Sequence, residues 1–347
     1  MRRNNHVDMW RIIFTVVIMG HHLYLIGLDG AYPFSTGWLA TEFFFILSGY
    51  YTAKHFASQE TTNSSVKEAV SYTIYKYKKI LPYTTIAICA EYMIENVYSA
   101  YHNQLKWTIF AQLFEDMPYE ILMLSASGIV AERLVPVWYL SAMFLVLPLL
   151  CCLLATKRKW IYYLAWIIPV TYYGWAGIVT AGERYNEILR ASAGLLLGVF
   201  IFLVSDKISS MKTSSAVRWF ITVIDIGSLS FAVWLMWGSG GHYKTILLLF
   251  IIGTCMMLSG KSYTCRINIW KGNIGKILGK ISLAMYSIHW CVGSTLRLWF
   301  PQLDIKTKLL IYYAGTFLVA SAIVLLFMTI HNIIKKNKGS KSIGLPG

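Results

Sequence analysis

The chain has 347 residues, 56% of them hydrophobic and only 14% charged, with a mean hydropathy of +0.54 and a formal net charge of +15. A soluble domain carries about a quarter charged residues, so this chain has too little polar surface to solvate itself as one sphere. Its Lys and Arg sit in short clusters between apolar runs instead of on one solvated face, which argues against a nucleic-acid partner.

The first apolar run follows Arg2 and Arg3 as a signal peptide would. It lacks a small-residue cleavage site and carries His21 and His22, so it reads as a retained first helix. Further runs near the twenty-residue spanning length follow. The expected spans are 10–28, 37–57, 80–100, 134–155, 160–179, 187–205, 216–237, 243–260, 277–299 and 308–330. Between the third and fourth, residues 105–128 are broken by Glu115, Asp116, Pro118 and Glu120, and read as an interfacial or re-entrant segment.

The expected fold is therefore all-α, a polytopic membrane bundle of about ten transmembrane helices. Residues 1–334 form one domain and 335–347 a disordered polar tail. With the N-terminus inside, 23 of the 31 Lys and Arg fall in inner loops. The positive-inside rule then predicts both termini to be cytoplasmic, as in a multi-pass plasma-membrane protein. The cysteines Cys89, Cys151, Cys152, Cys255, Cys265 and Cys291 show no CxxC or zinc spacing, so neither a disulfide framework nor a metal site is expected.

Ionisable residues inside spans are costly and mark function. In the first span Asp8, Arg11, Thr15 and His22 follow at intervals of three, four and seven, which puts them on one helical stripe. Arg11 and His22 are then about 16 Å apart along the axis. Glu42 lies at matching depth in the second span, so a His22–Glu42 pair is expected, the carboxylate fixing the imidazole tautomer. Lys76, Lys78 and Lys79 precede Leu81-Pro82 and form a basic mouth suited to phosphates. His289 lies near mid-span in the ninth helix, Trp138 and Tyr139 open the fourth span, and Arg190 opens the sixth.

Taken together, DMWR (8–11) with Arg11-x10-His22, EFFFILSGYY (42–51), YKYKKILPY (75–83), VWYLSAMF (137–144) and ISLAMYSIHW (281–290) resemble membrane-bound acyltransferase family 3. This family includes surface-polysaccharide O-acetyltransferases, and the resemblance covers nearly the whole chain. It implies a ten-helix enzyme that moves an acyl group, usually acetyl from acetyl-CoA as cosubstrate, onto a glycan hydroxyl. The family's Arg-x10-His falls on Arg11 and His22, and its acidic residue before the Phe-rich run on Glu42. These three are the expected catalytic residues.

Lys76, Lys78 and Lys79 are the expected donor-binding residues, where the family usually has arginine; lysine keeps the charge but not the bidentate geometry. Asp8, Trp138, Tyr139, Arg190 and His289 are expected to support the site. No appended soluble catalytic domain of the kind some relatives carry is expected. Two other classes fit the intramembrane charges: a glycan exporter or flippase on the same fold, which needs no CoA site, and a proton-coupled transporter.

Overall fold

The computed structural model describes residues 4–28, 32–59, 65–102, 107, 110–111, 115–129, 132–176, 186–238, 242–266 and 273–341. The helices in chain order are α1 (Asn5–His21), α2 (Thr41–Ser58), α3 (Ser65–Tyr101), α4 (Met117–Ile121), α5 (Val137–Ala155), α6 (Lys159–Leu164), α7 (Ile167–Ala176), α8 (Glu187–Ser210) and α9 (Ser215–Met236). They continue with α10 (Tyr243–Leu258), α11 (Asn273–Trp299), α12 (Ile305–Leu310), a π turn at Ile311–Gly315, and α13 (Thr316–Lys341). No strand occurs among the described residues, and all six cysteines are free.

Each expected span falls on helix. Among the described residues, four helical segments are long and apolar enough to cross a membrane by length and composition: α5, α8, α9 and the stretch Ile305–Ile334. Their outward faces are apolar, as at Trp219, Phe220, Val223 and Trp234 of α9 and Leu318, Leu325 and Leu326 of α13. The other helices are shorter, interrupted or charged. The expected span 160–179 is divided into α6 and α7 at Ala165–Trp166, and its last residues, 177–179, lie outside the described residues. α13 continues to Lys341, into the stretch expected to be a disordered tail, and 342–347 lie outside the described residues.

Helix ends are set by local chemistry. Asn4, Asn186, Ser214 and Asp304 each accept a backbone N–H at the start of a helix. The first span differs most from expectation: α1 stops at His21, and a 3-10 turn over Leu23–Ile26 ends on Gly27 at φ 89°, a left-handed conformation suited to glycine.

Two parallel helix pairs position the site. In the first, α2 lies on α8 so closely that a Cβ on Gly49 would run into the Leu195 carbonyl, and one on Gly198 into the Ile46 carbonyl. Small residues permit this approach. In the second, α1 runs alongside α11, with Thr15 bonded to Ser282 and His22 to His289, seven residues further on in both helices. We call the end where α1 and α11 begin the basic end, and the opposite one the histidine end.

Residues 117–133 as described pack beside α3. The Arg133 guanidinium meets Glu95 at 3.1 Å, and the Ile121 carbonyl accepts from the Tyr77 hydroxyl at 2.9 Å. Glu95 and Tyr77 are separated by about 27 Å of helix. α4 therefore packs along α3 between these two contacts. Residues 105–106, 108–109 and 112–114 lie outside the described residues.

Candidate active site

A cavity of about 380 Å³ opens among α1, α2, α3, α5 and α11. Five cations line it: Arg11 from α1, Lys76 and Lys79 from α3, and Lys276 and Lys280 from α11. No carboxylate is among its lining residues as described. Arg11 also touches Asp8 at 3.4 Å, behind the wall. The Lys76 ammonium, drawn inward, donates to the Ser48 carbonyl at 3.2 Å and the Thr52 hydroxyl at 3.0 Å. Concentrated positive charge in low-dielectric walls attracts a polyanion.

The spacing on α3 explains which lysines take part. Lys76, Lys79, Ile80 and Tyr83 follow an i, i+3, i+4, i+7 pattern and all line the cavity. Lys78 falls on the far side of the helix and is exposed, so the expected trio is corrected to two. Lys276 and Lys280 were not anticipated. Their i, i+4 spacing, followed by Leu283 and Tyr286 on the same stripe, is the signal that could have found them.

Away from the basic end the cavity is lined by the aromatic side chains Phe44, Tyr139 and Tyr286. The Tyr286 hydroxyl donates to the Pro136 carbonyl at 2.6 Å, and its ring is 6.0 Å from that of His289. His289 is fully buried, and its Nε2 lies 3.1 Å from Nδ1 of His22. Tyr24 and Trp290 flank the His22 ring at 5.9 and 5.3 Å. The stripe on α1 thus runs from the cation cluster through Thr15 to the paired imidazoles.

The expected His22–Glu42 pair does not form. The two Glu42 carboxylate oxygens are taken by Arg190 and Tyr173, in a fully buried cluster. The reason is helical phase. Glu42, Phe45, Ile46 and Gly49 share the stripe of α2 that meets α8, so the acid must face Arg190 on that helix. His22, for its part, lies just beyond the end of α1, where its backbone N–H caps the Met19 carbonyl.

Arg190 also donates to the Trp38 carbonyl and the Thr41 hydroxyl, and its guanidinium sits between the Trp38 and Trp138 rings at 4.7 and 4.9 Å. Trp138 belongs to this cluster, whereas Tyr139 lines the cavity. Two further participants escaped sequence reasoning: Tyr173, and Tyr312 of the π turn. The Tyr312 hydroxyl donates to the Met19 carbonyl at 3.2 Å, the same oxygen that receives the His22 N–H.

This arrangement sets a cavity lined by five cations beside a buried imidazole pair, the kind of group that can act as a general base. The comparisons agree. The family described as "Acyltransferase domain", acyltransferase family 3, matches residues 4–329. The chain belongs to that family and is a membrane acyltransferase. No curated protein and no solved structure matches it.

Proposed function

We propose that this protein transfers an acyl group, acetyl in the simplest case, from acyl-CoA to a hydroxyl of a cell-surface glycan. The observation that carries this reading is the five-cation cavity, whose lining residue Tyr286 has its ring 6.0 Å from that of His289 in the His22–His289 pair. The CoA nucleotide would occupy the basic end, its phosphates met by Lys76, Lys79, Lys276, Lys280 and Arg11. The pantetheine arm would extend past Phe44, Tyr139 and Tyr286 over the roughly 16 Å that separate Arg11 from His22 along α1. His22 then acts as general base on the acceptor hydroxyl. Glu42 and Arg190 hold α2 against α8 and take no part in proton transfer.

The orientation follows from the same charges. The basic end faces the cytoplasm, where acyl-CoA is made, and both termini lie on that side, with ten spans in the plasma membrane. The donor enters from the cytoplasm and the acceptor meets His22 from outside. The test is transfer of labelled acetyl from acetyl-CoA by purified protein, with wild type and His22→Ala compared at equal folded amounts. Transfer by the wild type and its loss in the variant are expected. Retained transfer in His22→Ala ends the general-base role. Glycan movement without donor binding would favour an exporter on the same fold.

A further inference from the structure

Two neutral imidazoles that share one hydrogen bond can be arranged in two ways, and their neighbours decide between them. His289 Nδ1 lies 3.2 Å from the Met285 carbonyl, one turn back on α11. A carbonyl only accepts, so Nδ1 of His289 carries the proton and its Nε2 is bare. That bare Nε2 faces Nδ1 of His22 at 3.1 Å, so the proton between the rings belongs to His22. Nε2 of His22 is left as the one free lone pair of the pair.

We infer that His289 is a positioning residue: through Met285 it holds His22 as the Nδ1–H tautomer and so makes Nε2 of His22 the base. This rests on the acyl-transfer reading. In the step it serves, the acceptor O–H proton passes to Nε2 of His22 while the oxygen attacks the thioester carbonyl. The C–S bond then breaks, and the departing thiolate takes that proton from Nε2–H, returning His22 to its starting form. While His22 is charged, its Nδ1–H points at the bare nitrogen of His289, which shares the charge. The pair does the work that a carboxylate does behind the histidine of a hydrolytic triad. This explains how the site can function although Glu42 is committed to Arg190.

The backbone supports the same geometry. Met19, whose carbonyl takes the His22 N–H, is also held by Tyr312 from the π turn, a helical irregularity that recurs at functional sites.

The test compares His289→Gln, which keeps an acceptor oxygen near the Nε2 position, with His289→Leu, which removes it. His289→Leu should lower kcat about 100-fold with the acetyl-CoA KM unchanged, and His289→Gln should stay within about tenfold of wild type. Equal loss in both, or a loss confined to KM, overturns the assignment. A second readout needs no turnover: the 15N spectrum of histidine-labelled protein, with the His22 signals assigned by their absence in His22→Gln.

Bare and protonated ring nitrogens resonate far apart, and His22 should show a bare Nε2 in wild type and in His289→Gln. A bare Nδ1 on His22 in wild type overturns the inference even if transfer is observed. Wild type that carries the stated tautomer and transfers no acyl group removes the acyl-transfer reading and leaves the hydrogen-bond assignment standing.

Discussion

The Glu42–Arg190 cluster is buried and the cation cluster lines an open cavity, and the two are built in opposite ways. At Glu42 the charges are paired: Arg190 and Tyr173 take the carboxylate, the Trp38 and Trp138 rings lie 4.7 and 4.9 Å from the guanidinium, and Nη2 of Arg190 reaches Trp38 and Thr41. In the cavity Lys76, Lys79, Lys276 and Lys280 line one space with Arg11 and no acid in its described lining. A closed ion pair in an apolar interior holds helices in register, whereas open, like-signed charge is costly until a ligand neutralises it. Both motifs look alike in sequence as charges within apolar runs. Their partners separate a strut from a binding site.

The comparison is broken most sharply at the strut. Glu42→Ala should leave the Arg190 charge buried and unpaired and destabilise the fold by about 3–5 kcal/mol. Glu42→Leu with Arg190→Met should recover most of that loss, read as the thermal midpoint of protein in detergent. A recovered double variant that still transfers acyl groups would separate Glu42 from the chemistry altogether.

In the cavity, Lys276→Glu with Lys280→Glu should weaken acetyl-CoA binding about 10- to 100-fold, at about 1.5–3 kcal/mol for a hydrogen bond to a charged group. Stability should change little, since these lysines meet no acid in the cavity lining as described. Gly49→Ala should cost about 1–3 kcal/mol, because its Cβ meets the Leu195 backbone and not a movable side chain. The smallest effect is expected at Lys78→Glu, exposed on the far side of α3, with donor affinity within about twofold of wild type by titration.

Much of the fold was legible in the sequence, because apolar runs of spanning length and the clustering of Lys and Arg need no tertiary knowledge. The α1 stripe was legible too, since helical spacing alone brings Arg11, Thr15 and His22 to one side. The partner of His22 was not. It depends on where α1 ends and on how α11 lies beside it, and equal depth pointed to Glu42 when helix phase pointed Glu42 elsewhere. Gly49, two turns along the same stripe as Glu42, marks the face of α2 that meets α8. Lys276 and Lys280 read as topology signals until α11 was packed against α1 and α3.

Of the helices that line the cavity, α2 holds Glu42 and Lys54 and α11 holds Lys276, Lys280 and Arg297, whereas α5 is apolar enough to stand out as a span.

The central claim is that the basic cavity holds the phosphates of an acyl donor. Equilibrium binding of labelled acetyl-CoA to the purified protein, measured at low and high salt, tests it most directly. Saturable binding that weakens with salt, fails in Lys276→Glu with Lys280→Glu and persists in His22→Ala and Lys78→Glu is the expected result. Binding that is indifferent to the cavity lysines, or no binding by the wild type, would contradict it.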